Sequence, residues 1–226
     1  CDEAFLAIAD MIDMRMPFTQ GHSRMVSELA MGAGKRIGLP DPDVRALRWS
    51  GCIHDIGELV VPVATWMRNG PLSVRERDAA QLHAYYGERA LASFGREGEA
   101  MAALVLRHHE RLDGSGYHRG VGATMLTNSA RVLAAADAYH AMTQPRPHRA
   151  ALTDTDAARQ LRSEADQGRL DPAATDAVLA AAGHTTHRSR AGGPGGLTAR
   201  ECEVLGLLAQ GLPNKGIANE LGISRK

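Results

Sequence analysis

Apolar residues recur three and four positions apart along most of the chain, the spacing that places them on one face of an α-helix. Two such stripes open the chain, at Phe5, Ile8, Ala9 and Ile12 and then at Met25, Val26, Leu29 and Ala30. The alternation of apolar and polar residues that is typical of strands is scarce. The pattern therefore predicts an all-α fold, a bundle of helices packed on their apolar faces.

Start and stop signals divide the pattern into helices. The pair Asp41-Pro42 is expected to open a helix that ends near Gly57, because proline is favoured in the first helical turn. Ser73 and Glu76 have the spacing of a capping box, which predicts the start of the helix that carries His83.

Glycine and proline mark the later loops. Four glycines between His109 and Asn128 predict an extended loop, and a helical hairpin broken near Gly168 is expected to end at Gly183. Residues 183–196 contain five glycines and a proline, the composition of a flexible linker. We therefore expect a first domain at 1–182, a linker at 183–196 and a second domain at 197–226.

Composition excludes several classes of protein. The 26 basic and 26 acidic residues balance, so no overall charge favours nucleic acid or a membrane surface. Three cysteines are too few for a disulfide framework, and no apolar run approaches the roughly 18 residues of a membrane span. These features predict a cytoplasmic protein without membrane contact. A start at cysteine and an end within a motif indicate a fragment of a longer chain.

Histidines and aspartates in apolar or helical settings are the candidate chemistry. Seven of them fall in this class: His22, His54, Asp55, His83, His108, His109 and Asp137. Any one alone has an ordinary explanation, such as a cap on a helix C-terminus or a single satisfied hydrogen bond in the core. An unpartnered buried polar group costs several kcal/mol, so convergence on a common partner explains the whole set more economically. A mixed imidazole and carboxylate set favours iron, manganese, zinc or nickel over calcium.

The local sequences around these positions resemble the HD-GYP branch of the HD metal-dependent phosphohydrolases. The matching segments are Phe18-Thr19-Gln20-Gly21-His22-Ser23, Cys52-Ile53-His54-Asp55-Ile56-Gly57, His83-Ala84-Tyr85-Tyr86-Gly87, the run from His108-His109-Glu110 to Gly114-Ser115-Gly116-Tyr117-His118, and Ala136-Asp137-Ala138-Tyr139-His140-Ala141-Met142-Thr143. A lone His-Asp pair is weak evidence, whereas ordered segments across residues 17–150 are specific.

The resemblance implies two divalent transition-metal ions, iron or manganese being favoured over zinc. Asp55 is then the bridging carboxylate and the catalytic residue. His22, His54 and Asp137 would complete one ion, and His83, His108 and His109 the other. Phe18 stands where relatives with a third metal carry a glutamate, which favours two ions. Glu110 and Asp113 are candidates to orient the ligand imidazoles.

Substrate recognition is where the chain departs from the family. The family's phosphate-contacting lysine is Glu58 here, the proline of Gly-Tyr-Pro is His118, and His140 and His148 replace residues that are more often aspartate and tyrosine. Arg146 and Arg149 resemble guanine and phosphate contacts but are equally consistent with solvated arginines. Tyr117, like Trp66, is expected either to stack on a base or to serve the core. Cyclic di-GMP is the substrate that the resemblance implies, and a related nucleotide stays open.

The C-terminal segment resembles a LuxR-type helix-turn-helix, with Leu197-Thr198-Ala199-Arg200-Glu201 followed by Gly211-Leu212-Pro213-Asn214-Lys215-Gly216-Ile217-Ala218. The resemblance implies contacts to double-stranded DNA, for which Lys215, Arg225 and Lys226 are candidates, and it leaves a homodimer as an expected arrangement. The base-reading helix would follow residue 226, so DNA binding is expected of the full-length protein. The alternative is a helical hairpin for protein contact.

Two functions from different classes follow. In the first, a bacterial signalling regulator uses its HD domain as a working phosphodiesterase that controls DNA binding. In the second, the HD domain binds a nucleotide without efficient hydrolysis and the protein is mainly a transcription factor. The complete set of candidate ligands favours the first, whereas Glu58 and His118 favour the second.

Overall fold

The computed structural model describes residues 2–185 and 199–209 and single positions at 211, 213, 216 and 220. The chain forms two compact units, Cys1–Thr185 and Thr186–Lys226. The first unit contains ten α-helices among its described residues: α1 (Asp2–Asp13), α2 (His22–Arg36), α3 (Asp41–Ile53), α4 (Val63–Trp66), α5 (Val74–Gln81), α6 (His83–Leu91), α7 (Gly95–Val105), α8 (Asn128–Thr143), α9 (Asp154–Asp166) and α10 (Pro172–Ala181). Two 3₁₀ turns, Ile56–Val60 and Ala123–Met125, complete it.

The predicted all-α class is confirmed. Pro42 lies in the first turn of α3, and the side chain and backbone of Ser73 exchange hydrogen bonds with Glu76 in the predicted capping box. Side chains of Thr127, Thr153 and Asp171 cap α8, α9 and α10 in the same way, each accepting a backbone N–H of the first turn.

Helix α3 lies between two apolar clusters. Leu47 belongs to a large cluster built mainly from α2, α8, α9 and α10, centred on fully buried side chains such as Leu133 and Leu161. Ile53 belongs to a smaller cluster of α1, α3 and α7 with Leu91 of α6, in which Val105 is fully buried. The C-terminal end of α3 is thus enclosed on both sides, and His54-Asp55 follows it directly.

Two boundaries differ from the sequence-based expectations. Helix α3 ends at Ile53, and the chain continues as a 3₁₀ turn after Asp55 instead of one helix to Gly57. The capped helix α5 ends at Gln81, and His83 begins the separate helix α6. In both places the chain leaves its helix where a histidine ring turns back onto the backbone, as described below.

The second unit contains helix α11 (Ala199–Ala209), where the first helix of the LuxR-like segment is predicted. Most of the predicted second helix lies outside the described residues. The domain limits at 182 and 196 stay predictions. Among the described residues, no helix is both long and apolar enough to cross a membrane.

Candidate metal centre

The candidate metal ligands lie at helix ends, with one exception. His22 begins α2 and His83 begins α6, whereas His54 and His108 follow the last residues of α3 and α7. Asp137 is the exception, because it lies inside α8. Helix ends from different directions can meet at one point, and here they bring buried side chains into one cluster.

The carboxylate of Asp55 lies between two pairs of imidazoles. Its Oδ2 atom is 3.3 Å from Nε2 of His54 and 3.8 Å from Nε2 of His22. Its Oδ1 atom is 3.5 Å from Nε2 of both His83 and His108. Each oxygen of one carboxylate therefore faces its own pair of ring nitrogens, which is the arrangement of a bridging ligand.

Asp137 spans the cluster on another side. Its Oδ1 atom is 3.3 Å from Nε2 of His22 and 3.7 Å from Nε2 of His54, and its Oδ2 atom is 3.4 Å from Nδ1 of His109. The Nε2 atoms within each imidazole pair are also close, 3.3 Å between His22 and His54 and 3.2 Å between His83 and His108. All seven side chains named from the sequence are thus in one place.

Three of the imidazoles are oriented by helix backbone. The Nδ1 atoms of His54, His83 and His108 lie 2.9, 2.6 and 2.5 Å from the carbonyl oxygens three residues earlier, those of Gly51, Ala80 and Val105. These carbonyls belong to the last turns of α3, α5 and α7, where backbone acceptors have no partner within the helix. A carbonyl only accepts, so each Nδ1 carries a hydrogen, and the neutral form of each ring then has its lone pair on Nε2, which faces the centre. Each of these histidines can therefore cap a helix C-terminus through Nδ1 and still present Nε2 to a metal ion.

Most of the cluster is held in metal-binding forms, and His54 is the exception: burial opposes its positive charge, but the Asp55 and Asp137 carboxylates raise its pKa well above the usual value. Burial would raise the pKa of Asp55, but the His54 and His108 imidazoles hold it well below its usual range. The pKa of Asp137 is lowered in the same way, against burial, by the neighbouring imidazoles of His22 and His54. Burial lowers the pKa of His83 to about 4, so its ring is neutral. Ionised carboxylates and neutral imidazoles are the forms that coordinate metal ions.

The donor set fits a transition-metal centre. Two groups of side chains place one ligand atom each within 4.8 Å of one another, Asp55 with His83, His108 and His109, and Asp55 with His22 and His54. Among the described residues, the ion pairs of Asp55 and Asp137 are all with histidine, so no lysine or arginine offsets these buried charges. A buried carboxylate pair of this kind calls for a cation, and the cluster could bind metal.

A cleft of about 260 Å³ opens onto the cluster. Its lining consists of Phe18, His22, Asp55, Glu58, Trp66, His83, His109, Tyr117, Asp137, Ala141, Arg146, Pro147, His148 and Arg149. Tyr117 packs against His109 with ring centroids 4.5 Å apart, and burial raises the pKa of its hydroxyl well above the ordinary value. Burial and the neighbouring Asp55 raise the pKa of Glu58 in the same way.

The two arginines of the cleft have different surroundings. The guanidinium of Arg146 lies over the ring of Phe18, 5.2 Å from its centroid. The guanidinium of Arg149 donates to the carbonyl oxygens of Ala141 and Met142 in the last turn of α8 and to that of Gln144. Arg149 therefore caps the C-terminus of α8, a role that the sequence did not indicate.

Glu110 and Asp113 bond elsewhere than to the ligand imidazoles. The two carboxylate oxygens of Glu110 accept the backbone N–H groups of Arg119 and Val121, at 2.8 and 3.0 Å. The carboxylate of Asp113 accepts from the backbone and hydroxyl of Ser115. Both therefore shape the loop after His109, and the expectation that they orient the imidazoles is wrong.

The sequence analysis also missed contributors to the site. Asp13, at the end of α1, is buried and accepts both the backbone N–H and the hydroxyl of Ser23, so it fixes the start of α2 beside His22. His140 contacts His22, with 2.9 Å between their Nδ1 atoms. The candidate DNA contacts Lys215, Arg225 and Lys226 lie outside the described residues.

Residues 7–174, which include every ligand candidate, match the sequence profile of the family described as HD domain. The chain belongs to the HD-domain family. Residues 196–226 match the profile described as bacterial regulatory proteins, luxR family. The predicted combination of an HD domain with a LuxR-type segment is therefore confirmed.

The HD domain is similar to curated bacterial phosphodiesterases. A 3′3′-cGAMP-specific phosphodiesterase 1 of Vibrio cholerae is 33% identical over 175 residues, 77% of this chain and 40% of the relative. The cyclic di-GMP phosphodiesterase response regulator RpfG of Xanthomonas campestris is 32% identical over 179 residues, 78% of this chain and 47% of the relative. This chain thus spans less than half the length of either relative.

A solved structure of a cyclic GMP-AMP-specific phosphodiesterase from V. cholerae shares the fold. It superposes with a TM-score of 0.59 at 16% identity, over 81% of this chain and 49% of that one.

Proposed function

We propose that the HD domain is a metal-dependent phosphodiesterase that hydrolyses a cyclic dinucleotide and acts together with a DNA-binding C-terminal module. The position of Asp55, with each carboxylate oxygen facing two imidazoles, carries this proposal. A carboxylate between two pairs of imidazole nitrogens supports a site for two divalent ions. Iron or manganese is favoured over zinc for these ions.

The proposed ligand sets follow the distances. His22, His54 and Asp137 would hold one ion, and His83, His108 and His109 the other, with Asp55 shared. When bound, such ions would supply positive charge beside the reacting phosphate and lower the pKa of water toward neutrality. The carbonyl-bound rings of His54, His83 and His108 keep their lone pairs aimed at the centre.

Substrate binding is proposed for the cleft in front of the cluster. Arg146 presents a cation at its rim and would attract a phosphate, and Tyr117 and Trp66 offer aromatic faces to a base. Arg149 adds positive charge to the same wall, although its Nη atoms already donate to backbone carbonyls. Cyclic di-GMP and 3′3′-cGAMP are the substrates named for the similar proteins, and both are candidates.

The full chain reconstituted with manganese or ferrous iron tests the proposal. We expect close to two ions per chain by elemental analysis and a linear dinucleotide product by chromatography. Asp55→Asn keeps the shape of the side chain and removes its charge, so it should lose both metal and activity. Asp78→Asn, on the exposed surface of α5, is the matched control and should change neither. A parent chain that binds no metal after reconstitution would refute the proposal.

A second candidate is a nucleotide sensor that does not turn over its ligand. Glu58 supports it, because a carboxyl group buried in the cleft occupies a place where a phosphate would need positive charge. Metal-loaded protein that binds cyclic dinucleotides in calorimetry yet releases no linear product would establish this alternative.

The C-terminal module is proposed to bind double-stranded DNA, with Lys215, Arg225 and Lys226 on phosphates and a homodimer as the binding form. The LuxR-family match supports this proposal. Phosphate contacts release counterions, so a mobility shift should weaken steeply as salt rises. A chain that shifts no DNA even at low salt would argue for the protein-contact alternative.

A further inference from the structure

His22 differs from the other buried imidazoles in what holds its Nδ1 atom. The rings of His54, His83 and His108 turn Nδ1 to the carbonyl three residues earlier. The carbonyl three residues before His22 is that of Thr19, and it already accepts the backbone N–H of His22 at 2.9 Å. The Nδ1 atom of His22 instead lies 2.9 Å from Nδ1 of His140.

Two hydrogen placements fit this contact, because either imidazole can donate. A metal ion bound by Nε2 of His22 would remove the ambiguity. With the lone pair of Nε2 used by the ion, a neutral His22 carries its hydrogen on Nδ1 and donates it. His140 must then present an unprotonated Nδ1 as the acceptor.

We propose that His140 is the positioning residue of this metal centre: its neutral imidazole accepts the Nδ1–H of His22 and fixes that ligand in the metal-binding tautomer. The inference rests on the proposed metal centre. It concerns a contact that His22 makes with a side chain, where the other three rings contact the backbone.

Helix α8 supplies one neighbour to each nitrogen of the His22 ring, in addition to the contacts of Nε2 with His54 and Asp55. Asp137 lies 3.3 Å from Nε2, and His140, one turn later on the same helix, lies 2.9 Å from Nδ1. The His22 and His140 rings also stack, with centroids 5.1 Å apart and planes 27° apart. A single rigid helix therefore holds the ring at both nitrogens.

The identity of the acceptor should set how tightly the ion is held. A carboxylate acceptor makes a charge-assisted hydrogen bond and raises the basicity of the ligand ring more than a neutral imidazole does. In histidine, asparagine and aspartate the Nδ1 or Oδ1 acceptor is attached to Cγ, so the three side chains offer it at the same distance from the backbone. The chain thus allows the acceptor to be varied at constant position.

Competition between the full chain and a fluorescent chelator for Mn²⁺ measures the effect. We expect His140→Ala to weaken binding of one ion by about 10-fold to 100-fold. His140→Asn should stay close to the parent, and His140→Asp should bind more tightly. His184→Ala is the matched control, since it removes a histidine that bonds the neighbouring Tyr139 of α8 at 2.8 Å without contacting the cluster.

The outcomes separate the inference from the function on which it rests. A parent chain that binds no Mn²⁺ refutes the metal centre itself. If the parent binds Mn²⁺ and all three His140 variants bind it with the same affinity as the parent, only the role of His140 is refuted. A loss in His184→Ala as large as in His140→Ala would assign the effect to helix packing and also refute it. If His140→Ala does not fold, His140→Asn still decides, because it keeps an uncharged acceptor at the same position: an affinity close to that of the parent supports the role, and a loss of about 10-fold or more refutes it.

Discussion

The close contact between Gly57 and the start of α6 affects both the packing of the fold and the position of the ligand candidate His83. Gly57 follows Asp55 by two residues and packs against the start of α6. A Cβ atom added at Gly57 would lie 1.9 Å from the carbonyl oxygen of His83 and 2.7 Å from the backbone nitrogen of Gly87. Both are backbone atoms, so no side-chain rotation can relieve the overlap. Gly57→Ala must therefore push α6 away from the 3₁₀ turn.

The cost can be bounded from known core substitutions. Overpacking a well-packed interior costs about 1 to 3 kcal/mol, and a backbone overlap this close places Gly57→Ala near about 3 kcal/mol. For a domain of this size each kcal/mol lowers Tm by about 2 to 4 °C, so we expect a decrease of about 6 to 12 °C. The shift also carries His83 away from Asp55, to which its Nε2 atom lies at 3.5 Å. The ion on that side should be lost first.

Thermal unfolding by circular dichroism and metal content by elemental analysis test both parts. Gly70→Ala is the matched control, because a Cβ atom there meets nothing within 4 Å. It should leave Tm within about 3 °C of the parent, as expected for a surface substitution. If Gly57→Ala melted with the parent and kept its full metal content, the close approach of Gly57 to α6 would have no energetic consequence and the reasoning would fail.

Four further substitutions test the cleft. Glu58→Lys should lower KM for cyclic dinucleotides, because it replaces a buried carboxyl group with the positive charge that a phosphate attracts; an unchanged KM would mean that this side chain does not face the substrate. In the parent, KM should rise with pH as Glu58 ionises. Glu58→Gln cannot ionise and should not show this rise, which measuring KM for both chains across a pH series would test. Arg149→Ala should lower the free energy of unfolding by about 2 kcal/mol, because its guanidinium donates to the carbonyls that end α8, measured by urea denaturation. Arg146→Ala should instead weaken nucleotide binding with little change in stability.

Much of the fold and the place of the site followed from sequence pattern. Helical periodicity, the cap at Ser73 and the proline after Asp41 act locally, and each predicts its helix without knowledge of the rest of the chain. The cluster could be anticipated because buried histidines and aspartates are costly alone. The ligand roles of these residues stay predictions until metal is measured.

Contacts between distant segments could not be predicted in this way. The hydrogen bond between Asp13 and Ser23 and the contact between His22 and His140 depend on how helices are placed relative to one another. The capping of α8 by Arg149 depends on how the loop after α8 turns back onto it. The carbonyl contacts of His54, His83 and His108 are local, yet they require the helix to end at an exact residue, and helix ends are the least certain part of a pattern.

The protonation of Glu58 should affect how tightly the cleft binds a phosphodiester. Burial, reinforced by the nearby charge of Asp55, raises the pKa of Glu58, so the neutral form persists to higher pH than in water. A neutral Glu58 does not repel a phosphate and can donate a hydrogen bond to one of its oxygens. As pH rises through that raised pKa the group ionises and repulsion begins, and the affinity for a phosphodiester should then fall. Cations in the cluster would oppose the influence of Asp55 and lower the same pKa. Through Glu58 alone, metal loading should therefore lower the affinity for a phosphodiester, a contribution that Glu58→Gln would remove.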